Sequence, residues 1–229
     1  MYYLFVNFKT YEEVTGKKAF SLAKLLSSFS DGEVDIIPVV QSIDLKEIAS
    51  GISLNVFAQH VDPVSFGSNT GKIMPFAVKE TGAVGVVLNH AEFKVSNEHI
   101  KKAVELCGKI GLKTMVCAED KKRAIEIAKF SPDFIAVEPP ELIGGNISVS
   151  TSKPELIEST VKAIHKINPK IIVITGAGIK SAKDVSKAIE LGTNGVFVAS
   201  GIVKADDKEA AVRELLSGFP ERRSNKVEP

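Results

Sequence analysis

Residues 113–138, KTMVCAEDKKRAIEIAKFSPDFIAVE, decide the fold class of this 229-residue chain. The stretch contains two short and largely apolar runs, residues 113–117 and 134–138, which flank an amphipathic segment at 119–129. Apolar runs that do not alternate with polar residues are typical of parallel strands buried on both faces. A strand, a helix and a second strand in this order predict a βαβ unit.

The same alternation extends in both directions to the ends of the chain. Strands are predicted at residues 3–8, 35–39, 54–59, 84–89, 113–117, 134–138, 171–175 and 195–199. Helices are predicted at residues 17–28, 44–50, 71–81, 97–109, 119–129, 153–167, 182–190 and 207–217. Eight such pairs predict an α/β protein with a single-domain (β/α)₈ barrel over residues 1–219, followed by a polar tail at 220–229. An open doubly wound sheet with the same number of strands is the alternative.

The composition excludes several classes of protein. The chain has 29 Lys and Arg against 28 Asp and Glu, a balance that argues against a nucleic-acid binder with a dense basic surface. Hydrophobic residues at 44% and charged residues at 25% are typical of a globular domain. We expect a cytoplasmic protein without a membrane partner, because the sequence has neither a long apolar run nor a secretory signal. The two cysteines have no zinc-site spacing, and no cofactor motif is present, so we expect neither metal nor cofactor.

In a barrel of this kind, the residues that carry chemistry lie at the carboxyl ends of the strands. Asn7 and Lys9 end the first predicted strand on the same side of it, and His90 follows the fourth. Lys9 would offer a positive charge to an anionic substrate, and His90 a hydrogen bond to a substrate oxygen. Taken singly, a solvated lysine and a buried structural histidine explain these residues as well.

Glu138 closes the sixth predicted strand, where burial would raise the pKa of its carboxyl group and make it a better base. The loop that follows, residues 139–146, has prolines at one end and glycines at the other, a pattern that indicates either a hinged lid or a plain connection. Residues 175–179, TGAGI, and 199–202, ASGI, are rich in small residues that let backbone N–H groups approach a phosphate, although tight turns also need glycine.

Two further features favour structural roles. His60 and Asp62 in the segment QHVD are an incomplete set of metal ligands, and we expect a hydrogen-bonded pair at the rim instead. Cys117 closes an apolar strand with no basic group nearby in the sequence, so we expect it to be packed and not nucleophilic.

A carboxylate, a histidine, a lysine and a phosphate site together indicate proton transfer next to a carbonyl group. Such a reaction needs a base, a hydrogen-bond donor for the developing oxygen charge, and a cation. Two other hypotheses stay open at this point. The chain could be another phosphate-binding barrel, an isomerase or a lyase, or it could be a barrel that binds phosphosugars without turning them over.

Seven short motifs in a fixed order carry a resemblance over nearly the whole chain. They are VNFKTY at 6–11, QHVDP at 59–63, GSNTG at 67–71, NHAE at 89–92, EPPELIG at 138–144, TGAGI at 175–179 and ASG at 199–201. With these motifs the sequence resembles the triosephosphate isomerase family in its short archaeal form. The resemblance implies a TIM barrel without a cofactor that interconverts D-glyceraldehyde 3-phosphate and dihydroxyacetone phosphate in glycolysis and gluconeogenesis.

The resemblance also implies a role for each residue of the site. Glu138 matches the base, His90 the neutral electrophile, Lys9 the cation, and Glu92 the carboxylate that pairs with the lysine. The substrate contacts it implies are those of Asn7, Lys9, Ile143, Gly144, Gly178, Ala199 and Ser200. One departure is Ala91, which stands where the family commonly has a serine that holds the base in its open position.

The resemblance further implies a homo-oligomer in which Thr70, in the loop at 67–71, supports the active site of a neighbouring subunit. The fourth and fifth predicted helices carry many charges, which favour a dimer over a tetramer. The residues concerned are Lys101, Lys102, Glu105, Lys121, Lys122, Arg123 and Glu126.

Overall fold

The structure is a computed structural model that describes residues 1–30, 33–142 and 148–220. Its eight parallel strands close into a barrel and follow one another in the order of the chain. Their bounds are β1 Tyr2–Asn7, β2 Val34–Val40, β3 Phe57–Ala58, β4 Gly85–Leu88, β5 Lys113–Ala118, β6 Phe134–Val137, β7 Ile172–Gly176 and β8 Gly195–Val198. The first strand also pairs with the last, in the register Phe5 with Phe197. The predicted (β/α)₈ barrel is therefore confirmed, and the open sheet is excluded.

Helices connect the strands around the outside of the barrel. They are α1 Lys17–Ser27, α2 Leu45–Gly51, α3 Pro75–Glu80, α4 Asn97–Lys109, α5 Lys121–Ala128, α6 Val149–Ser152, α7 Pro154–Ile167, α8 Ala182–Glu190, α9 Ser200–Val203 and α10 Lys208–Leu216. Side chains cap several of them: Ser96 accepts a hydrogen bond from the backbone of His99, and Ser181 forms a capping box with Asp184. No helix within the described residues is long and apolar enough to cross a membrane.

Alternate residues of the strands face either the barrel interior or the helices. In β1, Leu4 and Val6 belong to the outer core beneath the helices, whereas Phe5 belongs to the inner cluster. The ring of Phe5 contacts those of Phe57 and Phe134 edge to face, with centroids 5.2 and 5.4 Å apart. These aromatic side chains fill the barrel, so that ligand chemistry is confined to its rim.

One glycine makes this filling possible. A Cβ atom at Gly85 would lie 2.2 Å from the Phe57 ring, so β4 needs glycine where the ring crosses the barrel. The strand continues to Leu88, after which Asn89 and His90 reach the carboxyl rim. Because all eight strands are parallel, the side chains that follow them meet at this one end.

The structure differs from the predicted elements in three places. The predicted helix at 71–81 begins only at Pro75, because residues up to Met74 form a loop and proline suits the first helical position. Strand β3 pairs over Phe57–Ala58 alone, although the apolar run at 54–59 is longer. The short helices α6 and α9 were not predicted, since four residues are too few for an amphipathic pattern. Residues 221–229 of the predicted tail lie outside the described residues.

Candidate active site

Lys9 stands at the rim in a strained backbone conformation. Its φ of +49° lies in the left-handed region, which residues other than glycine rarely adopt. Asn7 holds this turn because its side-chain oxygen accepts a hydrogen bond from the Lys9 N–H at 3.0 Å. Gln59 holds the other side of the same residue, donating from its amide to the Lys9 carbonyl at 2.9 Å. The ends of β1 and β3 thus fix the direction in which the lysine side chain leaves the backbone.

The ammonium group of Lys9 pairs with Glu92. Its Nζ lies 2.6 Å from Oε1 of Glu92, and the lysine side chain is only 11% exposed while the glutamate is 58% exposed. The second carboxylate oxygen of Glu92 lies 3.5 Å from Nδ1 of His90. Glu92 is therefore placed between Lys9 and His90.

The environment of His90 favours the neutral imidazole. Burial lowers the pKa of the ring, nearby Lys9 lowers it further, and Glu92 opposes them. The backbone N–H of Glu92 donates to Nδ1 at 3.2 Å, so the ring proton of the neutral form is on Nε2. Asn89, with a φ of +59°, positions the ring, and its own amide donates to the Cys117 carbonyl at 2.9 Å. The result is a neutral N–H donor that points into the barrel mouth.

Glu138 follows β6 and is 6% exposed. Within the part of the chain that the structure describes, its Oε2 is the one buried side-chain oxygen or nitrogen without a hydrogen-bond partner. Burial raises the pKa of its carboxyl group to about 7, and a hydrogen bond from the Cys117 thiol and the charge of Lys9 oppose part of that rise. A carboxyl group with a pKa near neutrality can both take up and release a proton at pH 7.

Oε2 of Glu138 faces Nε2 of His90 at 3.9 Å. The carboxylate gains room from Gly176 at the end of β7, where a Cβ atom would lie 2.5 Å from Oε1 of Glu138. The Cys117 thiol is buried beneath the carboxylate, and its pKa is raised far above the ordinary value by burial and by the charge of Glu138. Cys117 is therefore a packed thiol, as predicted, and one that also contacts the base.

A cavity at the rim brings most of the predicted residues together. It is lined by Asn7, Lys9, Tyr11, His90, Glu138, Ala177, Gly178, Ile179, Lys180, Phe197, Val198, Ala199, Ser200 and Gly201. The loop after β7 turns through two left-handed residues, Ala177 and Gly178, each with a φ of +73°. At the start of α9 the first N–H groups have no carbonyl partner within the helix. The cavity thus has a reacting end at Glu138 and His90, and an end lined by backbone at the two loops.

The remaining predicted residues lie elsewhere. Glu92 lines an adjoining cavity, to which Gln59, His60 and Phe93 also contribute. Thr70 is exposed in its loop and contacts neither cavity. The predicted contacts of Ile143 and Gly144 lie outside the described residues.

His60 and Asp62 lie side by side at the rim, but Nε2 is 3.7 Å from Oδ1, which is too long for the hydrogen bond that was expected of them. Asp62 accepts hydrogen bonds from Lys72 at 3.0 Å and from the backbone of Ile73 at 2.8 Å. These contacts fasten the loop that leads to α3, so the pair has a structural role.

Sequence reasoning missed three polar residues of the site. Tyr11 and Lys180 line the cavity, and Gln59 supports Lys9, yet none was assigned to it. Gln59 did give a signal, since it is a polar residue at the end of an apolar run on a predicted strand. Tyr11 and Lys180 lie in loops, where no periodicity indicates the direction of a side chain.

Comparisons with known proteins agree with this geometry. A family model described as triosephosphate isomerase matches residues 2–216. Three archaeal proteins, each named triosephosphate isomerase, are similar to the chain. That of Methanothermus fervidus is 43% identical over 93% of this chain and 96% of its own length. The corresponding values are 44%, 93% and 94% for Methanobacterium bryantii, and 41%, 92% and 97% for Methanocaldococcus jannaschii.

Proposed function

This chain belongs to the triosephosphate isomerase family and is an isomerase, and we propose that it interconverts D-glyceraldehyde 3-phosphate and dihydroxyacetone phosphate at the rim cavity. The observation that carries the proposal is the pair formed by Glu138 and His90. A buried carboxylate with a pKa of about 7 faces a neutral imidazole N–H across 3.9 Å. The reaction needs a base and a hydrogen-bond donor that act on neighbouring atoms of one small substrate.

Glu138 acts as the base. Its unpartnered Oε2 removes a proton from the carbon next to the substrate carbonyl, and the electrons of that C–H bond form the double bond of an enediolate. The neighbouring hydroxyl group of the enediolate loses its proton to the former carbonyl oxygen, and the same carboxyl group then returns a proton to the adjacent carbon. The substrate keeps its atoms and electrons, and the enzyme ends in the protonation state in which it began.

His90 and Lys9 stabilise the negative charge that develops during this transfer. The Nε2–H of His90 donates to the substrate oxygen, and because the ring is neutral it gives a hydrogen bond without losing its proton at the start. Lys9 brings a positive charge whose position is fixed by Glu92 at 2.6 Å. A preorganised donor and cation need no rearrangement when the charge appears.

The end of the cavity lined by backbone binds the phosphate group. Gly178 after β7, and Ala199 and Ser200 after β8, line the same cavity as the base, so one small molecule can reach both ends. Backbone N–H groups at such loops are the usual phosphate ligands of a (β/α)₈ barrel. Asn7 completes the reacting end through its contact with the backbone of Lys9.

The test is turnover of the purified protein with glyceraldehyde 3-phosphate, coupled to reduction of the dihydroxyacetone phosphate formed. Glu138→Ala should lower kcat by about 10²–10⁴-fold, since it removes the base. Glu158→Ala is the matched control, because Glu158 is an exposed carboxylate on the outer helix α7 and pairs with Lys162 instead. Wild-type protein without activity, or a Glu138→Ala variant as active as the control, would refute the proposal.

We propose in addition that the protein is a homodimer in which Thr70 supports the partner's active site. The loop at 67–71 is flanked by exposed apolar side chains: Phe66 is 71% exposed and its ring lies 5.1 Å from that of Phe76. Phe93, which is 60% exposed, lines the cavity next to Lys9. Exposed apolar side chains grouped in this way favour an interface. The charged surfaces of α4 and α5 favour a dimer over a tetramer.

Sedimentation velocity of the wild type and of Phe66→Glu tests this assembly. We expect a dimer for the wild type and a shift toward monomer for the variant, with activity falling together with the dimer fraction. A monomeric wild type with full activity would refute the interface, and a tetramer would refute the preference for a dimer.

Family membership further supports a place in glycolysis and gluconeogenesis and the cytoplasmic location expected from the sequence.

A further inference from the structure

The ring of Tyr11 is shared by two lysines from opposite ends of the chain. Lys204 Nζ lies 4.4 Å from the ring centroid, and Lys9 Nζ lies 5.9 Å from it. Both distances are within the roughly 6 Å over which an ammonium group is attracted to an aromatic face. The shorter one identifies Lys204 as the main partner of the ring.

Tyr11 is firmly placed beside the substrate cavity. Its carbonyl accepts hydrogen bonds from the backbone of Val14 at 3.1 Å and from the hydroxyl of Thr15 at 2.8 Å. Tyr11 also lines the cavity to which Lys9 and Ser200 contribute. The ring therefore lies on a fixed turn next to both ends of the proposed substrate.

Lys204 follows directly after α9, the short helix that begins at Ser200. A rise of 1.5 Å per residue places its Cα about 6 Å from that of Ser200 along the helix axis. Lys204 is exposed and does not line the cavity, so it would act on a bound phosphate through its electric field and not by contact.

The kind of partner that holds each lysine decides how much charge remains for a substrate. Lys9 pairs with the carboxylate of Glu92 at 2.6 Å, which cancels much of its field at a distance. An aromatic ring has no net charge, and it fixes the ammonium group of Lys204 without neutralising it. A ring is therefore the suitable partner for a cation that is to attract an anion from solution.

We propose that Tyr11 is a positioning residue that holds the ammonium group of Lys204 beside the phosphate end of the cavity, where Lys204 serves as a further cation for the substrate phosphate, in addition to the lysines that line the cavity. The proposal rests on the function assigned above and adds to it a cation with a defined support. Unit charges about 10 Å apart interact weakly in water, and salt screens them with a Debye length of ~10 Å at 0.1 M. The contribution is therefore a few-fold one, and it depends on salt.

The first test compares wild type with Lys204→Met, which keeps much of the aliphatic stem and removes the charge. At low ionic strength, kcat/KM should fall about two- to four-fold with kcat unchanged, and the difference should vanish near 0.5 M salt. Lys204→Arg should retain the wild-type value. The matched control is Lys113→Met, since Lys113 lies 5.9 Å from the Phe134 ring at the start of β5, on the opposite face of the barrel.

A double-mutant cycle tests the role of Tyr11. Tyr11→Phe keeps the ring and should behave as wild type, whereas Tyr11→Leu should reproduce the salt-dependent loss. In the Tyr11→Leu background, Lys204→Met should have little further effect, because the ammonium group is no longer held in place. A full effect of Lys204→Met in that background would show that Tyr11 does not position the lysine.

Binding of inorganic phosphate, measured by titration calorimetry, separates this proposal from the proposed function. The Kd for phosphate should rise about two- to four-fold in Lys204→Met, whether or not the protein turns over triose phosphates. If the wild type binds phosphate but does not turn over triose phosphates, the isomerase function is refuted and the proposed role of Lys204 is not. An unchanged Kd together with an unchanged salt dependence of kcat/KM would refute the role of Lys204.

Discussion

The variant Glu138→Gln should be inactive and yet more stable than the wild type in alkaline solution. Burial raises the pKa of this carboxyl group from 4.5 to about 7. Its ionised form is therefore about 3 kcal/mol less favourable in the folded protein than in the unfolded chain. An amide of similar shape is neutral at every pH and avoids this cost.

The sign of the pH dependence follows from proton binding. Between pH 4.5 and 7 the folded protein holds a proton on Glu138 that the unfolded chain has lost, so the free energy of unfolding falls as the pH rises. Between pH 5 and pH 8.5 this single group should lower the stability of the wild type by about 2–3 kcal/mol. The difference in the free energy of unfolding between Glu138→Gln and the wild type isolates the contribution of Glu138 from that of all other titrating groups.

Urea unfolding at pH 5 and pH 8.5, at one fixed protein concentration, measures the effect. The variant should gain about 2–3 kcal/mol on the wild type between these pH values, or about 5–10 °C in Tm for a chain of this size. Glu98→Gln is the control that should show no change between these pH values, because Lys102 holds the pKa of the Glu98 carboxyl below its ordinary value and the group is ionised at both. A constant difference between Glu138→Gln and wild type at both pH values would refute the assignment of Glu138 as a buried carboxyl group that resists ionisation.

Four further predictions concern the reacting end. The kcat/KM of the wild type should rise with pH and reach half its plateau near pH 7, because only ionised Glu138 is a base; a flat profile from pH 5.5 to 8.5 would contradict this. Glu138→Asp should bind phosphate normally in calorimetry while kcat falls about 100-fold or more, since a side chain shorter by one methylene misplaces the carboxylate; wild-type turnover would refute that role. Lys9→Ala should raise KM and lower kcat together in steady-state assays, whereas unchanged constants would exclude its role as the cation. Gly176→Ala should lower kcat with little change in the circular dichroism spectrum. The new Cβ would lie 2.5 Å from Oε1 of Glu138 and 2.9 Å from the carbonyl oxygen of Phe197, and would displace the carboxylate. Full activity of the variant would show that the carboxylate does not need this space.

The sequence predicts which residues reach the rim cavity better than it predicts the contacts that hold them there. Lys9, His90 and Glu138 were located because each follows an apolar strand, and a parallel barrel gathers all strand ends at one rim. The support that Gln59 gives to Lys9 could not be predicted, since it joins residues 50 positions apart in the chain. Such contacts depend on strand neighbours and register, which no local pattern contains.

Helix starts show the same limit on a smaller scale. Apolar spacing extends the predicted third helix back to residue 71, but Asp62 accepts a hydrogen bond from the backbone of Ile73 at 2.8 Å and holds that segment in a loop. The helix begins at Pro75 instead. A tertiary contact thus outweighs the local preference for about one turn of helix.

The residues at the proposed reacting end share a further property, which is an unfavourable local conformation or environment. Lys9 and Asn89 have left-handed backbones, at φ +49° and +59°, and strain of this kind costs about 1–3 kcal/mol for each residue. Glu138 is a buried carboxyl group with an unpartnered oxygen. Side chains from other strand ends offset these costs, as Gln59 does for Lys9. Of the four described residues other than glycine with left-handed backbones, Lys9 and Asn89 hold the proposed cation and the segment that carries the proposed donor. Relieving the strain at either of them should stabilise the fold and misdirect the chemistry.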